Sequence, residues 1–314
     1  MVFEPLLGKA LDIGIFLRWP RIPLYCHKAR GELPRIVFPR SYTDRIQWRK
    51  VFDRNPIFVS LADKLAAKNY IALRCPDLAL PKTLWTGTRI EDAPGELLAG
   101  DVVVKTNHGS GQNFFIRAGR YDPGLLSRLT AAWMSQPYGQ RDAEWAYHSI
   151  TRRLFIEEML GSVAVPPLEI NIRAGHGRVG FGNILLYAKT PKQSVIYLNE
   201  NGEKTHLSAG GGVTDAELLK VIVPEAFMKA RSFAAQLTKD IDFARIDFFC
   251  ADGRLYAGEI TLYPQSGYAA PNPYEQSVMK LWDLRQSWFM QTEFRDWRAP
   301  YKAALTRHLD RTGQ

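Results

Sequence analysis

Residues 245–261 most restrict what this chain can fold into. In Arg245-Ile246-Asp247-Phe248 polar and apolar residues alternate. A strand produces that period of two by sending successive side chains to opposite faces. Arg245 and Asp247 therefore share a face. A tight turn at Ala251-Asp252-Gly253 leads into a second strand that brings Glu259 and Thr261 to one face as well. Across a hairpin the two faces can coincide, gathering Arg245, Asp247, Glu259 and Thr261. Two carboxylates suit Mg²⁺ that carries phosphate oxygens, and an arginine beside them suits a phosphoryl group in transfer. A surface salt bridge is the other reading, and these four residues alone do not separate the two.

A lysine-bearing strand comes earlier. Residues 101–105 (DVVVK) are strongly β-branched, and a glycine-bearing loop joins them to a strand over 113–117, which reads as a hairpin. Lys105 ends the first strand as a point charge suited to the α- and β-phosphates of a nucleotide. His108, Gly109, Ser110, Gly111 and Gln112 form a loop whose backbone N–H groups can cradle an anion. The loop is not a Walker A sequence, because no Gly-Lys-Ser/Thr follows a longer glycine loop. A purely structural hairpin loop remains open. Glu157 and Glu158 end an apolar strand over 153–158. With the backbone of Met159 and Leu160 they suit adenine and ribose, or they are simply solvated charges.

Around these pieces the order is α+β, antiparallel hairpins separated by helices. Helical patterns cover 61–73, 125–134, 224–240 (with Pro224 near the first turn) and most of 277–309. Strands are expected near 79–86, 168–172 and 179–187. Thr214 and Glu217 form a capping box for a helix starting near Asp215. Residues 199–212 read as a polar, glycine-rich stretch. Three lobes follow: a basic, partly helical region over 1–60, a flap lobe over 61–160, and a catalytic lobe with a helical end over 161–314.

Charge restricts the partners. The chain carries +9 in 314 residues. Residues 1–54 hold eleven Lys/Arg against five Asp/Glu, a net of +6. That suits an anionic partner such as nucleotide phosphate, acidic polysaccharide or lipid headgroups, or else a solvated basic face. Nucleic acid is not expected, because no recognition-helix or RNA-binding signature is present. Cys26, Cys75 and Cys250 have neither disulfide nor zinc spacing, so a cytoplasmic setting is expected. Residues 5–25 are apolar but broken by Lys9, Asp12, Arg18 and Arg21. They read as a packed helix, with an amphipathic segment peripheral to a membrane as the alternative.

Taken as an ordered set, the motifs resemble the ATP-grasp fold, and within it the TupA-like ATP-grasp family of cell-surface polysaccharide and teichuronopeptide biosynthesis. The resemblance rests on RSYTDRIQWR (40–49), Ala62-Asp63-Lys64, VVVKTNHGSGQN (102–113), FIEEML (155–160) and ARIDFFCADGRLYAGEITLYPQSGY (244–268). It spans about residues 38–284. It implies ATP held between the flap lobe and the C-terminal lobe, with Lys105 and Lys64 at the phosphates and residues 108–112 closing over them. It further implies Glu157 to Leu160 at adenine and ribose, Asp247 and Glu259 on Mg²⁺, Arg245 facing the γ-phosphate or an acyl-phosphate, and Ser266-Gly267 bordering the acceptor. The implied activity joins a carboxylate to an amine through an acyl-phosphate, with an acidic surface glycan or its precursor as the setting. A phosphotransferase on the same fold and a non-enzymatic binder of anionic polymer are the other classes. Two positions depart from the family pattern. Thr261 stands where an Asn binds metal, and Asn171 where a Lys is expected, so a phosphate contact shifts toward Lys189 or Lys192 or the activity is altered.

Overall fold

The computed structural model describes residues 3–162, 166–188, 190–223, 225–271 and 274–313. The N-terminal sixty residues are more regular than their proline and arginine content suggests. They carry α1 (Phe3–Arg18), α2 (Arg21–Arg30), α3 (Tyr42–Val51) and the start of α4 (Ile57–Ala62). The helix expected over 61–73 is two helices, because Asp63 breaks the first and caps the second. Its carboxylate accepts the backbone N–H groups of Leu65 and Ala66 at the start of α5 (Lys64–Arg74).

A four-stranded sheet follows, built from β1 (Thr83–Gly87), β2 (Val102–Thr106), β3 (Asn113–Ile116) and β4 (Leu154–Glu158), with α6 (Pro123–Ser135) between the last two. Its order is β1-β4-β2-β3, all antiparallel. One face buries Val102, Val104, Ile116, Leu154 and Ile156 together with Leu126 of α6. Lys105 and Glu157 lie on the other face, toward α5.

The larger sheet has six strands in the order β10-β9-β5-β6-β7-β8. In chain order these are β5 (Leu168–Gly175), β6 (Arg178–Leu186), β7 (Ser194–Asn199) and β8 (Lys204–Ser208). Then come α7 (Asp215–Lys220), α8 (Glu225–Leu237), β9 (Ala244–Ala251) and β10 (Arg254–Thr261). The stretch read as polar and glycine-rich thus contains β8, which pairs with β7 just before it, and the sequence reading missed both strands. The capping box at Thr214 and Glu217 is present at the start of α7. Pro224 lies outside the described residues. The apolar side of this sheet, with Ile170, Ile172, Ile184, Ile246, Phe248 and Ile260, packs against α8 through Phe227, Ala230, Ala234 and Leu237. Burial of each large aliphatic or aromatic side chain is worth roughly 1.5–3 kcal/mol. Gly182 permits the close approach, since a Cβ there would lie 2.8 Å from the Phe227 ring. The chain ends in α9 (Glu275–Leu281), α10 (Trp288–Gln291) and α11 (Arg298–Thr312). No helix among the described residues is long and apolar enough to cross a membrane.

The N-terminal charge is only partly a surface property. Arg45, Arg49 and Lys50 of α3 are fully buried, so these three charges belong neither to a solvated basic face nor to a surface for an anionic partner. Arg45 donates to the carbonyls of Met279, at 2.8 Å, and of Trp282. Arg49 pairs with Asp242 at 2.7 Å, donates to the carbonyls of Phe243 and Leu262, and stacks 4.1 Å over the ring of Trp282. The Asp242 carboxylate also accepts the Trp282 indole N–H at 2.7 Å. This cluster bolts the N-terminal helices to the start of β9 and the end of β10. Arg49→Met would leave Asp242 charged in a dry interior, so we expect a loss of about 3–5 kcal/mol in urea unfolding. A loss below about 1 kcal/mol would mean the pair does not join the two parts.

Candidate active site

The large sheet has one polar face, and the register across its strands sets the site. Asn183 of β6 lies opposite Asn171 of β5, Asn171 opposite Asp247 of β9, and Asp247 opposite Glu259 of β10. One step along, Arg173, Arg245 and Thr261 form a second cross-strand row. Glu259 reaches this face only because of a bulge. From Arg254 to Ala257 the partner numbers run without a break, and continued they would set Glu259 opposite Ile246, on the core side. The register shifts between Ala257 and Glu259, so Gly258 and Glu259 both lie against Asp247. Gly258 is needed there, since a Cβ would come 2.9 Å from the Asp247 carbonyl and 2.8 Å from the Phe249 ring.

Arg245 donates from Nε and Nη2 to the two oxygens of Asp247, each at 2.6 Å. Its Nη2 lies 3.9 Å from Glu259 and donates to the Thr261 hydroxyl at 3.3 Å. That hydroxyl in turn lies 3.1 Å from Glu259 and 3.4 Å from Asp247. Burial raises the Asp247 carboxyl above its usual range even against the pull of Arg245. At Glu259 burial also opposes the charge, but Lys64, Arg245, the Thr261 bond and Lys105 together hold the pKa below its usual value. Glu259 is the more accessible carboxylate, 35% exposed against 13% for Asp247.

Lys105 of the small sheet and two lysines of α5 supply cations beside this face. The Lys105 ammonium is 2.5 Å from Glu157 and that of Lys68 is 2.6 Å from its other oxygen. Lys64 lies 3.9 Å from Glu259 and donates to the carbonyl of Gly109. A single lysine thus spans the glycine loop and the bulged strand. Burial lowers its pKa, partly offset by Glu259.

The other expected residues fall in distinct places. His108 is fully buried, its ring nitrogens turned to Asn107 and to the Trp133 carbonyl. It supports the loop from behind, and nothing in this geometry turns it toward the cleft. Gly109 is buried, Ser110 and Gly111 are exposed, and Gln112 hydrogen-bonds Thr106. Glu157 is buried between two lysines, so it is not a solvated charge at a strand end. Glu158 accepts the Lys82 N–H at 2.7 Å, and Met159 and Leu160 are half-buried beyond it. Ser266 and Gly267 are pinned from α3. Gln47 donates to both carbonyls, and Lys50 donates to the Ser266 carbonyl at 2.9 Å and its hydroxyl at 3.3 Å. Lys192 is exposed on a turn, and Lys189 lies outside the described residues.

Four charged groups near this arrangement escaped the sequence reading: Arg173, Lys68, Lys50 and Glu144. Arg173 carried a signal, since Asn171-x-Arg173 alternates as Arg245-x-Asp247 does. The other three carried none, because their partners are distant in sequence.

Oxygen donors only, two of them carboxylates, suit a hard cation that keeps water or phosphate oxygens for its remaining positions. Lys64 and Arg245 each approach Glu259 to 3.9 Å, and Lys105 is near enough to favour its charge, a set of cations suited to a polyphosphate. The residues present therefore fit Mg²⁺ and a nucleoside triphosphate.

Comparison with known proteins agrees in kind. A family model described as TupA-like ATPgrasp matches residues 44–279. No curated protein matches the sequence. Among solved structures, the chain is similar to the ATP-grasp ligase PsnB complexed with minimal precursor, at 11% identity, 81% of this chain, 62% of that chain and a TM-score of 0.39. It is similar to the D-alanine–D-alanine ligase from Bacillus anthracis complexed with ATP, at 16%, 70%, 63% and 0.38. It is also similar to the VanG D-Ala:D-Ser ligase from Enterococcus faecalis, at 16%, 69%, 57% and 0.38. The chain thus spans about three-fifths of the length of these ligases.

Glu144 offers a check on how tightly the interior beside the Ser266 turn is closed to water. Burial, opposed by Lys50 and a bond from Ser266, raises its carboxyl to about 7. Its folded pKa lies above the ordinary value, so its contribution to stability is complete at low pH and is lost as pH rises through about 7. Glu144→Gln mimics the protonated form. Relative to that variant, wild-type melting temperature is expected to fall between about pH 5 and pH 8. Parallel curves would mean that water reaches Glu144 freely.

Proposed function

As the chain belongs to the TupA-like ATP-grasp family, we propose that it is an ATP-dependent, Mg²⁺-requiring ligase that activates a carboxylate and joins it to an amine. The observation that carries this reading is the link across the cleft. Glu259, placed opposite Asp247 by the bulge, meets Lys64, which also holds the glycine loop at Gly109. A site of this kind binds a polyphosphate between two sheets and holds a cation on one side of it.

When bound, Mg-ATP supplies the phosphoryl group that makes the carboxylate reactive toward the amine. Lys105 and Lys64 bind phosphate oxygens, and Lys105 exchanges part of its pairing with Glu157 for them. Residues 108–112 close over the phosphates and exclude water, with exposed Ser110 and Gly111 at the tip. Glu157 to Leu160 line the adenine and ribose. Asp247 and Glu259 hold the cation, Glu259 the more readily because Arg245 occupies both oxygens of Asp247, and Thr261 steadies both carboxylates by its hydroxyl. Arg245 neutralises negative charge that develops on the transferring group. Ser266 and Gly267, held rigid from α3, border the amine. Most of the rate gain from these residues is positioning and charge neutralisation. The basic surface that α3 leaves uncovered suits an acidic substrate, and we assign the carboxylate to an acidic surface glycan or its precursor.

Glu259→Gln separates this reading from an ordinary ion pair. A partly exposed pair is worth about 0–1 kcal/mol of stability and nothing in rate. Loss of an electrostatic stabiliser of the reaction costs on the order of 10²–10³ in kcat. We expect an unchanged melting temperature without nucleotide, and ATP turnover down at least about tenfold across a panel of carboxylate and amine pairs. Wild-type turnover in the variant would place the chemistry elsewhere.

A further inference from the structure

Among the described residues, one cation on the polar face has no anion paired with it. Arg173 and Arg245 are direct cross-strand partners on β5 and β9, and side chains so paired have Cβ atoms about 4.5–5.5 Å apart. Arg245 is neutralised by Asp247 and approached by Glu259. Arg173 makes no ion pair among the described residues. Its guanidinium donates to the side-chain carbonyl of Asn183 and lies 4.7 Å over the ring of Phe181, both neutral partners. Asp247 is near enough to favour the charge of Arg173, but both its oxygens are already bonded to Arg245. Burial, and then the like charge of Arg245, lower the Arg173 pKa to about 10. A guanidinium has five donors in a planar fork matched to a carboxylate. Among the described residues only the bond to Asn183 uses them, and Arg173 keeps partial exposure. Holding an uncompensated charge in such surroundings is costly, and a fold that needed only packing at this position would do better with a neutral side chain.

We infer that Arg173 receives the carboxylate of the substrate, on the side of Asp247 away from Glu259. The inference rests on the ligase reading for what the carboxylate then does, but not for the existence of the anion site. In that position the substrate lies over β5 and β9, with its oxygens between Arg173 and the phosphates held from β10 and the small sheet. Asn183 fixes the guanidinium from behind, which makes it a positioning residue.

The test is a thermal-shift comparison of wild type, Arg173→Gln and Arg173→Lys in acetate, phosphate and chloride at matched ionic strength, each with and without Mg-ADP. Comparison between proteins removes the general effect of each salt on stability. Acetate is expected to stabilise wild type beyond chloride. Arg173→Gln should weaken acetate binding about tenfold or more, the effect of losing a charged hydrogen bond, and Arg173→Lys should keep part of it. Without any binding anion, Arg173→Gln should melt at or above the wild-type temperature, because it removes an unpaired charge and can still bond Asn183. Equal acetate shifts in wild type and Arg173→Gln would overturn the site. A wild-type response to phosphate alone would overturn the carboxylate assignment. A drop in Arg173→Gln melting that is the same with and without acetate would make the residue structural and also overturn it. Absence of any Mg-ADP shift in all three proteins would count against the nucleotide reading, and the acetate comparison would still decide the role of Arg173.

Discussion

The bulge at Gly258 decides which side of the large sheet carries chemistry. Side chains on a strand alternate between faces, so a shift of one residue exchanges the faces completely. Before the bulge β10 pairs with β9 in a register that would send Glu259 to the side of Ile246 and the α8 core. After it, Glu259 and Thr261 join Asp247 and Arg245, while Ile260 turns inward beside Ile246. A charged residue on the core side would have no partner, so the extra residue serves packing and site together. Glycine at 258 is the local condition, because any Cβ would collide with the Asp247 carbonyl.

Other constraints follow from where this face must be met. The small sheet buries its apolar side under α6 and presents Lys105 and Glu157 toward α5. Two lysines of α5 then complete the cleft, Lys68 on Glu157 and Lys64 on Glu259. The spacing of four residues puts both on one face of that helix. Cations gathered in this way repel one another unless anions separate them. Glu157 and Glu259 meet that need in the free protein, and phosphate oxygens would meet it in the loaded one. From the opposite side α3 drives Arg49 and Lys50 into the structure, fixing the start of β9 and the Ser266 turn. Residues 265 and 266 adopt positive φ at that turn, 50° and 54°. Side chains disfavour that conformation, so the bonds from Gln47 and Lys50 have a local strain to hold in check.

Periodicity made some of this readable in advance. The alternation in residues 245–248 and the turn at 251–253 located the hairpin, and the capping box located α7. The four-residue polar set was expected on one face, but the sequence offered no sign that a bulge was required to bring it there. Pairings between distant positions were equally hidden. Glu157 looked like a solvated strand end because its partners, Lys68 and Lys105, are far from it along the chain. The burial of Arg49 and Lys50 was hidden as well, because nothing local distinguishes a solvated cation from one bonded to carbonyls of residues 243, 262 and 266. The β7–β8 hairpin was masked by composition, since β8 is polar and exposed at Thr205, His206 and Ser208. Expected positions of the bound groups came from the resemblance, not from pattern, and Asn171 illustrates its reach. The residue sits in register with Asp247, where the family pattern has a lysine, and the positive charge on this strand is instead at Arg173.

The central claim is that a nucleotide and its cation occupy the cleft between the two sheets. The most direct measurement is a crystal structure with Mg²⁺ and a non-hydrolysable ATP analogue. Phosphate oxygens are expected within hydrogen-bond reach of Lys105 and Lys64, with a cation bound by Glu259, Asp247 beside it, and residues 108–112 drawn over the phosphates. A triphosphate bound away from Lys105, or a cation with no contact to Glu259 or Asp247, would contradict the claim.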